Sequence, residues 1–149
     1  AEVNTRVTSL PCEIIGSDIS DEMVTKTRRN LRGLPVGRFV KTEVKPFADV
    51  KELNAPGVMI SNRPYGERMG EEIEEMYGQL GDWMKSDMKG FDCWILSSNM
   101  DAFKFVGLRP ERKVKMYNGD LECSFRKYSI YEGSKKGKYM SNQQPGEEE

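Results

Sequence analysis

The residues best suited to chemistry lie between Ser61 and Arg68, in the run Ser61-Asn62-Arg63-Pro64-Tyr65-Gly66-Glu67-Arg68. They follow the apolar run Gly57-Val58-Met59-Ile60 and precede an acidic, helix-like stretch. An amide, a proline and an aromatic at a strand end can hold a flat ring that bears an amino group. The Asn62 side-chain oxygen and the backbone carbonyl of Arg63 would accept two hydrogen bonds from an exocyclic amine. That would aim the nitrogen lone pair at an electrophilic methyl group, catalysis mainly by positioning. Pro64 stiffens the loop, and Tyr65 could stack on the base as aromatics stack on flipped bases. The amine needs no prior deprotonation, so the absence of histidine from this chain does no harm. The alternative is an ordinary turn, since Asn, Pro and Gly are its common residues. Glu67 and Arg68 would steer substrate or simply pair with each other on the surface.

Two further acids sit where parallel strands usually present ligands, at carboxyl ends. Asp18 closes the apolar segment Cys12–Asp18 and is followed by Ile19. Its carboxylate could accept both hydroxyls of a ribose while Ile19 packs on an adenine face. It could equally be an acid favoured by the start of the next helix. Asp49 lies in the loop after the next strand and could receive an adenine amino group, or serve as a local cap.

The elements that must position these residues alternate. Cys12–Asp18 reads as a buried strand. Ser20 then caps a helix with Asp21 and Glu22 in its first turn, an apolar face of Met23, Val24, Thr27 and Leu31, and a stop at Gly33 and Pro35. Arg38–Val44 reads as the second strand, 46–56 as a loop with a helical turn around Val50 to Leu53, and Val58–Ile60 as the third strand. Glu71–Lys89 is the clearest helix: Ile73, Met76, Tyr77, Leu80, Trp83, Met84 and Met88 recur at spacings of three and four. Gly90 closes it. Phe91–Leu96 reads as the fourth strand and Met100–Val106 as a short helix. Arg112–Tyr117 and Leu121–Tyr131 form a hairpin about Asn118-Gly119. The fold class is therefore α/β, a mostly parallel Rossmann-like sheet ended by an antiparallel hairpin with a reversed edge strand. The loops bearing Asp18, Asp49 and Asn62 to Tyr65 are expected to converge on one edge. Residues 1–132 read as one domain, and 133–149 as a disordered tail whose Lys135, Lys136 and Lys138 are solvated.

Composition excludes several classes. A net charge of −1 in 149 residues gives no global basic field, so a nucleic-acid contact needs a local patch or another domain. The apolar runs are too short for a transmembrane helix. Three well-separated cysteines, Cys12, Cys93 and Cys123, two of them in apolar strand-like surroundings, suggest free thiols in a reducing, cytoplasmic compartment and no structural metal.

The run Asn62-Arg63-Pro64-Tyr65-Gly66-Glu67-Arg68-Met69 resembles the Asn-Pro-Pro-Tyr-Gly-Glu-Arg-Leu signature of bacterial ribosomal RNA guanine-N2 methyltransferases. Gly16-Ser17-Asp18 and Asn118-Gly119-Asp120-Leu121-Glu122-Cys123 resemble that family's ribose-binding strand end and closing hairpin. The resemblance runs over about residues 12 to 131. It implies a class I fold, S-adenosylmethionine as cofactor and ribosomal RNA as substrate, with an RNA-binding THUMP domain upstream. It also implies roles. Asn62, the Arg63 carbonyl, Pro64 and Tyr65 would hold a guanine amino group; Asp18, Ile19 and Asp49 would bind the cofactor, the family's acid in the last loop aligning at Asp49 or at Pro46.

Two departures stand out. Arg63 occupies the place of the family's first proline. The family's first strand, with its glycine-rich loop, should precede Cys12, and no residue there matches it. The expectation is a C-terminal part of a catalytic domain, inactive alone, whose open edge is covered by the missing segment or by homo-oligomerisation. A non-catalytic module that binds nucleic acid or protein is the competing reading. A dinucleotide-binding enzyme is weakened by the missing glycine-rich turn.

Overall fold

A computed structural model of the chain describes residues 9–63 and 70–132. The chain divides into two compact units, up to Lys51 and from Glu52 onward. Each has its own sheet: β1–β2 in the first, and four strands in the order β3–β4–β6–β5 in the second.

The first unit is a single β–α–β turn. Strand β1 (Ile14–Asp18) pairs in parallel with β2 (Val40–Val44), Ile14 opposite Val40 and Asp18 opposite Val44. Helix α1 (Asp21–Leu31) begins as its sequence dictates. Ser20 is extended, and its Oγ accepts the Met23 N–H at 3.3 Å, while Asp21 and Glu22 complement the helix dipole. Arg28 ties the helix to the sheet, its Nε donating to Thr42 Oγ1 and its Nη2 to the Thr42 carbonyl, both at 2.8 Å. Packing here is thin. Val24 is the buried apolar side chain of α1, whereas Ile14, Ile15, Ile19 and Leu34 are exposed.

The second unit carries the core. Strand β3 (Gly57–Asn62) runs parallel to β4 (Phe91–Ser97), and β6 (Leu121–Ser129) lies antiparallel between β4 and β5 (Arg112–Asn118). Strand β4 alternates strictly. Phe91, Cys93, Ile95 and Ser97 are buried, and its register sets them beside the buried Tyr128 and Ser124 of β6. Against them lie Tyr77, Leu80, Trp83 and Met84 of α2 (Glu71–Asp87) and Ala102, Phe103 and Val106 of a 3-10 turn (Ala102–Val106). The apolar stripe at period 3.6 meets the strand alternation at period 2, and each predicts the other's buried face. At Gly81 α2 and the 3-10 turn approach closely: a Cβ there would lie 1.8 Å from the Val106 carbonyl oxygen. Arg126 of β6 bridges to the same turn, its guanidinium 3.8 Å above the Phe103 ring and its Nε bonded to Ser124 Oγ at 3.0 Å.

The expected α/β class holds, with five corrections. The first strand, expected to be buried over Cys12–Asp18, is Ile14–Asp18 and largely exposed, because among the described residues it pairs only with β2. The reversed strand is interior: β6, which buries Cys123 and Tyr128, takes the inner place, and β5, with Arg112, Lys113 and Lys115, takes the edge. Burial explains the choice, since charged strands protect edges. The helical turn before Pro56 falls at Phe47–Asp49 rather than around Val50 to Leu53. The short helix after β4 is 3-10, begun by Asn99, whose Oδ1 accepts the Ala102 N–H at 3.0 Å. In the hairpin, Asn118 still pairs with Leu121, so the turn residues are Gly119 and Asp120, and Gly119 takes a φ of 61°. A primed turn with glycine at its first central position accounts for that. Among the described residues no helix is long and apolar enough to cross a membrane.

Candidate functional site

The carboxyl end of the β1–β2 pair brings two of the expected loops side by side. The Lys45 N–H donates to the Asp18 carbonyl at 2.9 Å, one residue beyond the last strand pair. The Phe47–Asp49 turn follows at once, closed by the Asp49 N–H donating to the Pro46 carbonyl at 3.1 Å. Asp18 Oδ1 accepts the Ser20 N–H at 2.8 Å. This local bond belongs to the helix-start reading, but it also fixes the carboxylate's direction and leaves Oδ2 for a ligand. Ile19 stands beside it, 77% exposed, an unusual position for a large aliphatic side chain with nothing to cover. Asp49 is also exposed. An acid with one oxygen oriented, an apolar side chain and a second acid make a surface that suits a nucleoside.

The second group of residues sits at the carboxyl end of β3. Asn62 is the last strand residue, opposite Leu96, and the Arg63 N–H donates to the Leu96 carbonyl at 3.0 Å. The sheet thus holds the backbone up to the point where the chain leaves it. By alternation Asn62 shares a sheet face with Val58 and Ile60, all three exposed. Arg63 lies against α2. Its Nη1 is 4.0 Å from Met76 Sδ, and burial pulls the guanidinium below its ordinary pKa, partly opposed by Tyr77. The side chain that departs from the family's proline is therefore half-buried against a helix, and the backbone carbonyl at this position remains part of the strand exit. Pro64 and Tyr65, with Gly66 to Met69, lie outside the described residues.

A supporting network escaped the sequence reading. Tyr77 of α2 donates its hydroxyl to Ser97 Oγ at 2.7 Å, and Ser97 Oγ also accepts the Asn99 N–H at 3.0 Å. Burial raises the Tyr77 hydroxyl's pKa, with Ser97 acting the other way. Tyr77 and Ser97 are both buried, so this bond holds the carboxyl end of β4, the strand that carries Asn62's neighbour, against α2. The signal was present in Ser97-Ser98-Asn99, polar residues ending an apolar run. The partner, a tyrosine inside an apolar stripe, reads from the sequence as core alone.

Residues 1–127 match the family model UPF0020, described as RMKL-like, methyltransferase domain. The chain belongs to this family. It is 32% identical over 138 residues to the ribosomal RNA large subunit methyltransferase K/L of Shewanella loihica, covering 90% of this chain and 19% of that protein. Among solved structures it superposes on SMU.472, described as "a putative methyltransferase complexed with SAH", with a TM-score of 0.73 and 28% identity, over 81% of this chain and 32% of that one. A possible methylase from Clostridium difficile 630 gives a TM-score of 0.72 and 26% identity, over 83% of this chain and 33% of that one. The chain thus spans about a fifth of the curated relative and a third of the solved chains.

Proposed function

We propose that this chain is part of an S-adenosylmethionine-dependent enzyme that methylates the exocyclic N2 of guanine in large-subunit ribosomal RNA. The carrying observation is Asn62, exposed at the end of β3 with the strand exit fixed by the Arg63 N–H and Leu96 carbonyl bond. Asn62 Oδ1 and the Arg63 carbonyl accept from the guanine amino group, Pro64 limits the loop, and Tyr65 stacks on the base. Together they direct the nitrogen lone pair and exclude water. Asp18 Oδ2 takes the cofactor ribose, Ile19 packs on its adenine, and Asp49 receives the adenine amino group. The cofactor, when bound, supplies the electrophilic methyl group. The amine's proton leaves only after attack, so the arrangement needs no strong base.

The reading extends to assembly. Among the described residues β1 pairs only with β2 and β3 only with β4, which leaves one free edge on each. Parallel strands are normally buried on both faces, yet Val58 and Ile60 of β3 are 64% and 69% exposed. A further strand from a longer polypeptide pairs with these edges. The THUMP domain belongs to that longer polypeptide. Alone, the chain binds S-adenosylmethionine weakly, and it self-associates through the open edges.

The test is transfer of a labelled methyl group to unmodified large-subunit ribosomal RNA, with the chain alone and fused to the upstream segment of a relative. The fusion should yield N2-methylguanosine on nucleoside analysis, and Asn62→Ala should lower the rate at least about 100-fold, as loss of a positioning contact does. Label on adenine, or none with the fusion, refutes the guanine reading. Low-micromolar cofactor binding by the chain alone refutes the need for the added strand.

A further inference from the structure

The sequence offers no global attraction for a polyanion, but the structure gathers a local one. Between Met23 and Thr42 stand Lys26, Arg28, Arg29, Arg32, Arg38 and Lys41, with no acid among them, in a chain of net charge −1. Lys26 pairs with Glu22 at 2.6 Å, and Lys41 with Glu13. Among the described residues no carboxylate pairs with Arg28, Arg29 or Arg32.

Three of the arginines border a cleft of about 480 Å³ within the first unit. Arg28, Arg32 and Arg38 line it together with Leu31, Leu34 and Pro35. Arg28 and Arg32 stand one helical turn apart and so share a face. The two bonds from Arg28 to Thr42 hold its guanidinium in a fixed direction, and Arg38 lies 4.7 Å over the Phe39 ring. The helix dipole explains Arg28 and Arg29, which sit in the last turn of α1. It extends to Arg32, the C-cap, but does not explain Arg38, six residues further on, or the exposed Leu34.

We infer that this cleft binds the phosphodiester backbone of single-stranded or looped RNA, the guanidiniums taking phosphates while Leu31, Leu34 and Pro35 lie under a base or ribose. Guanidinium is suited to phosphate because its planar fork donates two bonds at once. Guanidinium planes and flat apolar surface together are what unstacked RNA offers partners for. A membrane surface would call for a larger apolar face than these three residues make. Because α1 starts beyond Asp18 and runs back along the strands, its last turn lies about 16 Å away from that acid. The cleft therefore grips RNA away from the nucleoside end of the same unit.

This rests on the reading of RNA as substrate. The test measures binding of a fluorescent single-stranded RNA to the full chain across a salt series, comparing Arg32→Gln/Arg38→Gln, Arg32→Lys/Arg38→Lys and Lys104→Gln with the parent. Each phosphate contact adds about 0.7 to the slope of log K against log salt. The glutamine pair should lower the slope by about 1.4 and weaken binding about 25-fold at 0.1 M salt. The lysine pair should keep the slope, and Lys104→Gln, an exposed lysine paired with Asp101 at 2.7 Å, should change nothing. Equal loss in the lysine pair, an unchanged slope in the glutamine pair, or binding to anionic vesicles without RNA binding overturns the inference. If the glutamine pair leaves RNA binding intact while Asn62→Ala abolishes methylation by the fusion, the cleft is refuted and the functional reading stands. If the parent neither binds nor methylates RNA, both fall.

Discussion

Two glycines one turn apart in α2 make a sharp test of the packing. A methyl group added at Gly78 would find its nearest neighbour, the Phe105 carbonyl oxygen, at 3.9 Å. Added at Gly81, it would lie 1.8 Å from the Val106 oxygen, 2.8 Å from its carbonyl carbon and 3.2 Å from its Cα. These are backbone atoms, so relief requires the 3-10 turn to retreat by more than an ångström from α2. That retreat exposes the buried Phe103 and Val106. Alanine in place of a helical glycine gains about 1 kcal/mol from backbone propensity. Overpacking a core costs about 1–3 kcal/mol, and a clash with fixed backbone belongs at the upper end. Gly78→Ala should therefore stabilise by about 0.5–1 kcal/mol, and Gly81→Ala should destabilise by about 2 kcal/mol. With a urea dependence of about 2 kcal/mol per molar, the midpoints should move up about 0.4 M and down about 1 M. Trp83 and Trp94, the only tryptophans, both lie in the second unit, so their fluorescence follows the unfolding of that unit alone. A rise in midpoint for Gly81→Ala would show that α2 and the Ala102–Val106 turn do not meet as described, and would refute the reasoning.

Other outcomes follow from the same structure. Cys12 is exposed, and Cys93 and Cys123 are buried. At pH 8 a thiol reagent should label Cys12 quickly, and should label the other two only with denaturant. Burial, and secondarily the charge of Asp92, pushes the Cys93 thiol up to about 12 from an ordinary 9.0. Its folded pKa is the higher one, so its contribution to stability is complete below pH 9.0 and is lost as pH rises towards about 12. Denaturation midpoints measured across that range should fall less in Cys93→Ala than in the parent. At the acid end, the Ser129 hydroxyl and then Lys127 hold the Asp92 carboxyl below its ordinary 3.8. This folded pKa is depressed, so the contribution is present above pH 3.8 and is lost as pH falls below it. Asp92→Asn should flatten the acid limb of a stability profile, and an unchanged limb would refute the linkage. Tyr77→Phe removes the hydroxyl that Ser97 accepts and should cost about 1 kcal/mol by urea titration; no loss would mean that this bond does not support the end of β4.

The sequence alone determined the elements and the buried faces of the second unit. The stripe from Ile73 to Met88 and the alternation from Phe91 to Ser97 are periodic, and periodicity is a local property. It also determined the Ser20 cap and the two acids at strand ends, because these depend on neighbours within a few residues. Tertiary structure decided the rest. That β6 rather than β5 lies inside depended on which strand could bury its side chains against α2. That Arg63 packs beside Met76 depended on a helix thirteen positions away. The side-by-side loops of Asp18 and Asp49 required the parallel register of β1 and β2, and the arginine cleft required α1 to fold back on Thr42. Such contacts join residues far apart in the chain, and no local pattern records them.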